Sequence, residues 1–495
     1  MRIAPTLSSG AAPAGGIRSG VTAPAASIGA MPPRLRTLPE RHGGRVVLGL
    51  LIAILALGLA LRVQAALTPP EDVGNDAAAY MAIAKGLYTD GHYGGPTQSS
   101  PNDWSPGAPL LYAGVYFLTG GVHVKAALLV VALLGTGTIL LTYLLGRRLG
   151  GPAAGVIGAL LAATYPAFID NNGRLLAEPV ALFWLPAAML AFLWASDGGR
   201  PWRWLAPGAL LGLTTLTRPE YLPFVALFAL LALLRVMWTH APRRRGFLPG
   251  VAAAALLVVA FCAALAPWTA RNAIVLDRFV PVTTGGGKAL FVATYLPGDG
   301  RQQLVKRALI EKYDPAHPKD LPYTEVLQTE MEPLLDRVAK KYPELGRDAA
   351  LARIGRENFV KYAGEQPLDY AWMVIRKIQN MWDRGSSATM SPRFWFAYHK
   401  TLVFWALAAL VALAWRRRWE ALPIGLTILG ITLIGGLLLA VPRRALPLMP
   451  FVLALAGVTI AWLGAAVPAW RRAILPRARW SSQHSESSAS ASRPA

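Results

Sequence analysis

The sequence has 495 residues, 54% of them hydrophobic and only 15% charged, with a formal net charge of +22. Apolar runs of about 20 residues recur along it, each able to cross a bilayer core of roughly 30 Å; the alternating strands of about 10 residues that mark a membrane β-barrel are absent. The chain therefore reads as an all-α polytopic membrane protein, and its basic residues, scattered between apolar segments, fit membrane topology rather than a nucleic-acid partner.

Residues 1–44 are rich in Ala, Gly, Pro and Ser and read as a disordered tail ending in Arg34, Arg36, Arg41 and Arg45. The apolar segment Val46 to Leu67 starts too late and runs too long for a cleaved signal peptide, so it reads as a retained anchor. A first loop, 68–122, follows. Within it GNDAAAYMAIAKGLYTDGHYG places Asp76, Tyr80 and Ala84 at helical spacing on one face, which sets an acid where membrane meets water. The stretch Gly107 to Thr119 is apolar, but at about 13 residues it is short for a crossing and reads as interfacial.

Nine further segments run near 123–146, 151–169, 177–195, 203–217, 220–238, 247–268, 401–415, 421–440 and 446–466, giving ten crossings in all. The positive-inside rule tests the count. With the amino terminus inside, Arg147 and Arg148, Arg200 and Arg203, Arg243 to Arg245, Arg416 to Arg418, and Arg471, Arg472, Arg477 and Arg479 all fall on the cytoplasmic side. Residues 467–495 form a second tail, disordered from Ser481 on. The lone cysteine, Cys262, allows no intrachain disulfide.

Several outer residues break the charge rule. Arg218, Arg271, Arg443 and Arg444 stand at outer helix ends, where a phosphate would give them a purpose, since guanidinium donors match phosphate oxygens. The outer region 270–400 begins with short β-like runs around Gly285, Gly286 and Gly287, followed by Lys288, and continues as amphipathic helices near Pro322 to Lys341, Gly346 to Ala363 and Pro367 to Asp383. It reads as a small α(+β) subdomain. No zinc-type spacing and no Walker-type phosphate loop is present; His92 and His123 lack a second His at i+3 or i+4. The Trp residues near segment ends, such as Trp202, Trp238 and Trp415, read as an interfacial belt.

The acid-then-Tyr helix, WSPGAPLLYAGVYFLTG, LLGRRLGGPAAGVIGALLAATYPAF, RLLAEP, GLTTLTRPEYL, PWTARN and PRRALPLMP, in that order over about residues 46–466, resemble the C-type superfamily of integral-membrane glycosyltransferases. The likeness is to the branch of bacterial protein O-mannosyltransferases, aminoarabinose lipid A transferases and rhizobial lipopolysaccharide core transferases. The resemblance implies the C-type fold, in a multi-pass protein of the bacterial plasma membrane. It also implies inverting transfer of a hexosyl or pentosyl unit from a polyprenyl-phosphate donor to an envelope glycan, lipid or protein outside the cytoplasm. It places the catalytic base at Asp76. The family often has a second acid beside the base; here Ala77 follows, leaving Glu71 and Asp72 as nearby substitutes and the role of a divalent metal open.

That chemistry needs a base for the acceptor hydroxyl and cations for the departing phosphate. Asp76, with Asp72 nearby, is the candidate base; Arg271, Lys288, Arg218, Arg443 and Arg444 are candidate phosphate ligands; Tyr80, Trp104, Glu178 and Glu220 are candidate substrate-lining residues. Each has a plainer competitor: Asp76 as a helix cap, Glu178 and Glu220 as solvated helix ends, the arginines as headgroup anchors. A transporter or flippase, or a non-catalytic partner in envelope assembly, is the alternative. Transporters place ionisable groups at mid-membrane and show internal repeats, whereas these segments carry almost no charge at mid-depth and the two halves show no repeat. In this reading the membrane catalytic module is 45–269, the outer subdomain 270–400 and the carboxy-terminal helices 401–466.

Overall fold

A computed structural model describes residues 40–72, 74–94, 102–239, 243–313, 322, 325–326, 329–383, 390, 392–439 and 441–474. The expected tails lie outside these apart from the first residues of α1 and the last of α19, as do 323–324 and 327–328 of the expected helix 322–341. The helices are α1 (Glu40–Leu67), α2 (Asn75–Asp90), α3 (Gly107–Thr119), α4 (Val124–Gly150), α5 (Pro152–Thr164), α6 (Pro166–Asp170), α7 (Ala177–Ser196), α8 (Leu205–Thr217), α9 (Phe224–Thr239) and α10 (Phe247–Leu276). Beyond them come α11 (Gly286–Thr294), α12 (Gln302–Tyr313), α13 (Glu332–Ala339), α14 (Arg347–Glu365), α15 (Pro367–Asp383), α16 (Arg393–Trp415), α17 (Ala421–Leu437), α18 (Pro442–Ala445) and α19 (Met449–Ile474).

Each of the ten expected segments is helical. Among the described residues seven helical stretches are long and apolar enough to span a membrane, and an eighth if the α5–α6 pair, bent by 54°, is one span. The expected segments 203–217 and 421–440 are helices of 13 and 17 residues. The interfacial stretch is α3.

The centre of the bundle is α19, whose residues Phe451 to Ala456 are all nearly or wholly buried. Small residues bring its neighbours to backbone contact. A Cβ on Gly457 would lie 2.6 Å from the Ala154 carbonyl oxygen, and one on Gly155 2.7 Å from that of Tyr143, so α4, α5 and α19 touch without intervening side chains. Such contacts give membrane helices their packing where water exerts no hydrophobic drive between them.

The bend between α5 and α6 has an identifiable cause. Pro166 has no N–H, so the Ala162 carbonyl loses its helical donor. Arg62 of α1, fully buried, supplies replacements: Nη2 donates to Ala162 O at 2.9 Å, and Nη1 to Ala163 O at 3.2 Å and to Gly58 O at 3.1 Å. This buried cation lies toward the C-terminal end of α1 rather than at the middle of the segment. It neutralises orphaned carbonyls at a break, a structural post.

The expected β-like runs near Gly285 are a correction: no strand occurs among the described residues, and the chain is helical from Gly286. Gly285 alone takes the left-handed conformation, at φ 88°. Gly287 serves close approach, since a Cβ there would lie 1.9 Å from the Asp348 carbonyl oxygen of α14. Gly287, in a run that looks like a loop, therefore seats α11 against α14.

Candidate active site

At one end of the bundle, where α7 begins, α8 ends and α18 begins, lies a cavity of about 780 Å³. The start of α2 forms one edge. Gly74, at φ 78°, turns the chain into this helix, and its N–H donates to Asp72 Oδ1 at 2.8 Å. The residue at the N-cap is Gly74, and no side chain caps the helix. Asp76 is thus released from the capping role: its Oδ2 accepts a hydrogen bond from Arg443 Nη1.

Asp76 begins a row of alternating charges. Arg443 Nε lies 3.8 Å from Glu178 Oε1. Arg218 Nη1 donates to the same Glu178 oxygen at 2.9 Å, and Arg218 Nε to Glu220 Oε1 at 2.8 Å. Exposure decides what each member does. The side chain of Glu178 is 5% exposed and those of Arg218 and Glu220 about a tenth, whereas Asp76 is a third exposed and Arg443 nearly half. The inner three form a buried triad in which one guanidinium bridges two carboxylates, with Arg443 beside Glu178 and Arg444 beside Glu220 adding positive charge. All five line the cavity, and the outer two are the more exposed.

Local packing sets these positions. Gly107 of α3 lies against the last residue of α8, where a Cβ would meet Thr217 N at 2.7 Å, and this close fit fixes the turn that carries Arg218. Arg443 sits on α18, immediately before the buried central helix. Trp104 is held because Tyr93 Oη donates to its carbonyl at 2.7 Å, and neighbouring Asn102 donates from Nδ2 to Val282 O at 2.9 Å. The rings of Tyr80 and Trp104 meet edge-to-face with centroids 5.1 Å apart and form an aromatic wall beside the acid. Burial pushes the Tyr80 hydroxyl well above the ordinary phenol range, and Glu178 adds to the shift, so it stays a neutral donor.

The opposite wall belongs to the region after α10. Lys288 of α11 and Arg347 of α14 both bind Glu332 of α13, and Arg278 and Gln302 complete this side. Although partial burial favours protonation of Glu332, the bonds from Lys288 and Arg347 outweigh it and hold its carboxyl below the usual range.

Eight sequence candidates thus line one cavity: Asp76, Tyr80, Trp104, Glu178, Arg218, Glu220, Lys288 and Arg443. Three do not. Asp72 is exposed and occupied with the turn at Gly74, outside the cavity. Arg271 stacks over Trp268 and Tyr93, with 4.9 and 5.3 Å to the ring centroids, and so braces the residue that holds Trp104. Arg444 is partly buried beside Glu220, behind the wall. Sequence reading passed over Arg278, Asp103 and Arg347. Arg278 carried the signal used for Arg271, a basic residue at the same helix end; the other two lack a signal in one sequence.

Asp76, Glu178 and Glu220 are each bound by a guanidinium, and no group of three or more His, Cys, Asp or Glu among the described residues could hold a metal ion. Lys288 is engaged by Glu332 and Arg218 by Glu178 and Glu220, whereas Arg443 is the cation in contact with Asp76.

Residues 103–268 match the family of dolichyl-phosphate-mannose-protein mannosyltransferases. No curated protein sequence matches the chain. The whole fold is similar to the archaeal oligosaccharyltransferase AglB from Archaeoglobus fulgidus in complex with an inhibitory peptide and a dolichol-phosphate. The TM-score is 0.51 at 17% identity, over 87% of this chain and 52% of that one. The apo oligosaccharyltransferase of the same organism gives 0.50 at 16%, over 86% and 51%. ArnT from Cupriavidus metallidurans bound to undecaprenyl phosphate aligns over 86% of this chain and 81% of its own, at 15% identity and a TM-score of 0.38. The fold assignment rests on the first two. The chain is an integral-membrane protein with the C-type glycosyltransferase fold. It spans about half the length of the oligosaccharyltransferase it matches.

Proposed function

We propose that the protein is a glycosyltransferase that moves a sugar from a polyprenyl-phosphate-linked donor to an acceptor outside the cytoplasm, by a single inverting displacement. The observation that carries this reading is the paired Asp76 and Arg443 facing the cavity, braced by the Glu178–Arg218–Glu220 triad. The C-type fold and the partial match to a family that uses a dolichyl-phosphate sugar support the donor class.

Donor phosphate arriving at Arg443 takes over the guanidinium that the acid otherwise holds, because a phosphate offers the same planar fork more oxygens. Asp76 is then free to accept the acceptor hydroxyl proton. As the acceptor oxygen bonds to the anomeric carbon, the bond from that carbon to the phosphate oxygen breaks and its electron pair leaves with the phosphate. Arg443 and Arg218 meet the charge as it develops. Tyr80 and Trp104 offer an aromatic face to the sugar. The bilayer delivers the donor laterally. In this topology 68–122 and 270–400 face away from the cytoplasm, 45–269 and 401–466 supply the membrane module, and the tails 1–44 and 467–495 stay inside.

Arg443→Ala separates donor from acceptor. The expected result is a loss of about 10²-fold or more in kcat/KM for the donor, the scale of losing one charge-stabilising donor group, with the acceptor KM unchanged. Equal losses toward both substrates would contradict the phosphate role.

A further inference from the structure

A second cavity, of about 800 Å³, opens between α16 and α17 with α19 as its floor. Its walls are apolar: Val403, Leu407 and Leu410 on α16, Leu422 and Leu429 on α17, Leu455 on α19. The lining runs from 403 to 414 on one helix and from 421 to 432 on the other, about 16 Å at 1.5 Å per residue. That is close to one leaflet's share of a hydrocarbon core of roughly 30 Å. One end is closed by lining residues, where Trp382 Nε1 donates to Thr432 Oγ1 at 3.1 Å.

The other end is cationic. Arg417 and Arg418 line it, and Arg416 lies over Trp462 with 4.8 Å to the ring centroid. Glu420 is the acid beside them, and it pairs with Arg418 at 3.3 Å. Arg417 is exposed and held in the left-handed region at φ 55°, a conformation that costs a non-glycine residue energy. Trp238 and Trp419 flank this mouth, edge-to-face at 5.8 Å, as indoles do at headgroup depth.

We infer that this cleft holds one acyl chain of an anionic phospholipid whose headgroup meets Arg417. The lipid belongs to the leaflet away from the catalytic cavity. Two observations set it apart from the polyprenyl carrier. None of the residues lining the cleft lines the catalytic cavity. The cationic mouth stands at the end of α17 opposite the one that leads to Arg443. A carrier with its phosphate at Arg443 would enter at the end that Trp382 and Thr432 close.

The test uses the full-length protein in nanodiscs of phosphatidylcholine with a minor fraction of phosphatidylglycerol, extracted gently and read by native mass spectrometry. The expected result is retention of phosphatidylglycerol enriched about fivefold over its bulk share, the scale of one interfacial arginine. The enrichment should vanish in Arg417→Gln, persist in Arg417→Lys and vanish in Ala414→Trp, which fills the mouth with an indole. The Arg417 pair decides the matter if Ala414→Trp fails to fold. No enrichment in the wild type, or enrichment that survives Arg417→Gln, would overturn the inference. Displacement of the bound lipid by undecaprenyl phosphate would overturn it in favour of the carrier, and a shift in oligomeric mass with lipid retention unchanged in Ala414→Trp would do so in favour of a second copy.

Discussion

Arg218 and Arg443 carry the same charge beside the same carboxylate, Glu178, yet burial gives them different tasks. Arg218→Ala removes the guanidinium that donates hydrogen bonds to two buried carboxylates, and the expected cost is about 3–5 kcal/mol, seen as a large fall in the unfolding midpoint of the purified protein. Arg443→Ala exposes its main partner, Asp76, to a cavity where water can reach it, so the expected stability cost is about 0–1 kcal/mol. A large fall for both would show that Arg443 is structural. The chain pattern pointed to both arginines, because basic residues at the outer ends of apolar segments need a partner. It pointed to Arg271 with equal force, and nothing in PWTARN tells that its guanidinium stacks on Trp268 and Tyr93. Side-chain direction is decided by rings brought together from distant parts of the chain, and single-sequence patterns do not carry it.

Among the elements, the membrane helices were legible from their apolar runs, and their breaks were not. The bend at Tyr165 follows from Pro166, but its stabilisation by Arg62, about 100 residues away, is a tertiary fact. The glycines at 285–287 misled for a related reason: Gly287, in a run read as loop chemistry, serves helix contact. Gly107 is a sharper case. Gly107→Ala forces a methyl against the backbone of Thr217, and overpacking of this kind costs about 1–3 kcal/mol. The expected outcome is lower stability together with loss of transfer, because Arg218 follows Thr217; unchanged activity would show that the α3–α8 contact does not position the triad. On α15, Lys377 is fully buried and donates to Ala293 O at 3.1 Å, so it ties α15 to α11. Burial and then the nearby Arg444 lower its pKa from 10.5 to about 8. Below pH 8 both folded and unfolded chains carry this proton, and the folded state bears the cost of the buried charge. Between about pH 8 and 10.5 the unfolded chain binds more protons, so stability rises with pH. Lys377→Met should flatten that rise in a pH series of unfolding midpoints; an unchanged slope would assign it to another group.

On the scale of the whole molecule, α19, buried from Phe451 to Ala456, is preceded by α18 with Arg443, and the first loop and the region after α10 meet over the same cavity. A bundle with a charged cavity at one end suits chemistry on a lipid-borne substrate better than passage of a solute through its middle. The overall class was legible because bilayer thickness dictates helix length. That Lys288, Gln302, Glu332 and Arg347 share the cavity of the acid was not, since amphipathic helices record which face is buried and not against what. The most direct measurement is sugar transfer by the purified full-length protein in liposomes, offered a panel of polyprenyl-phosphate sugars and an envelope extract as acceptor, beside Asp76→Asn. The expected result is turnover of one donor by the wild type and a fall of at least about 10²-fold in the variant, the scale of losing a general base, with donor binding and the unfolding midpoint preserved. Wild-type turnover by Asp76→Asn would contradict the assignment of the base, and no turnover of any donor by the wild type would contradict the proposed activity.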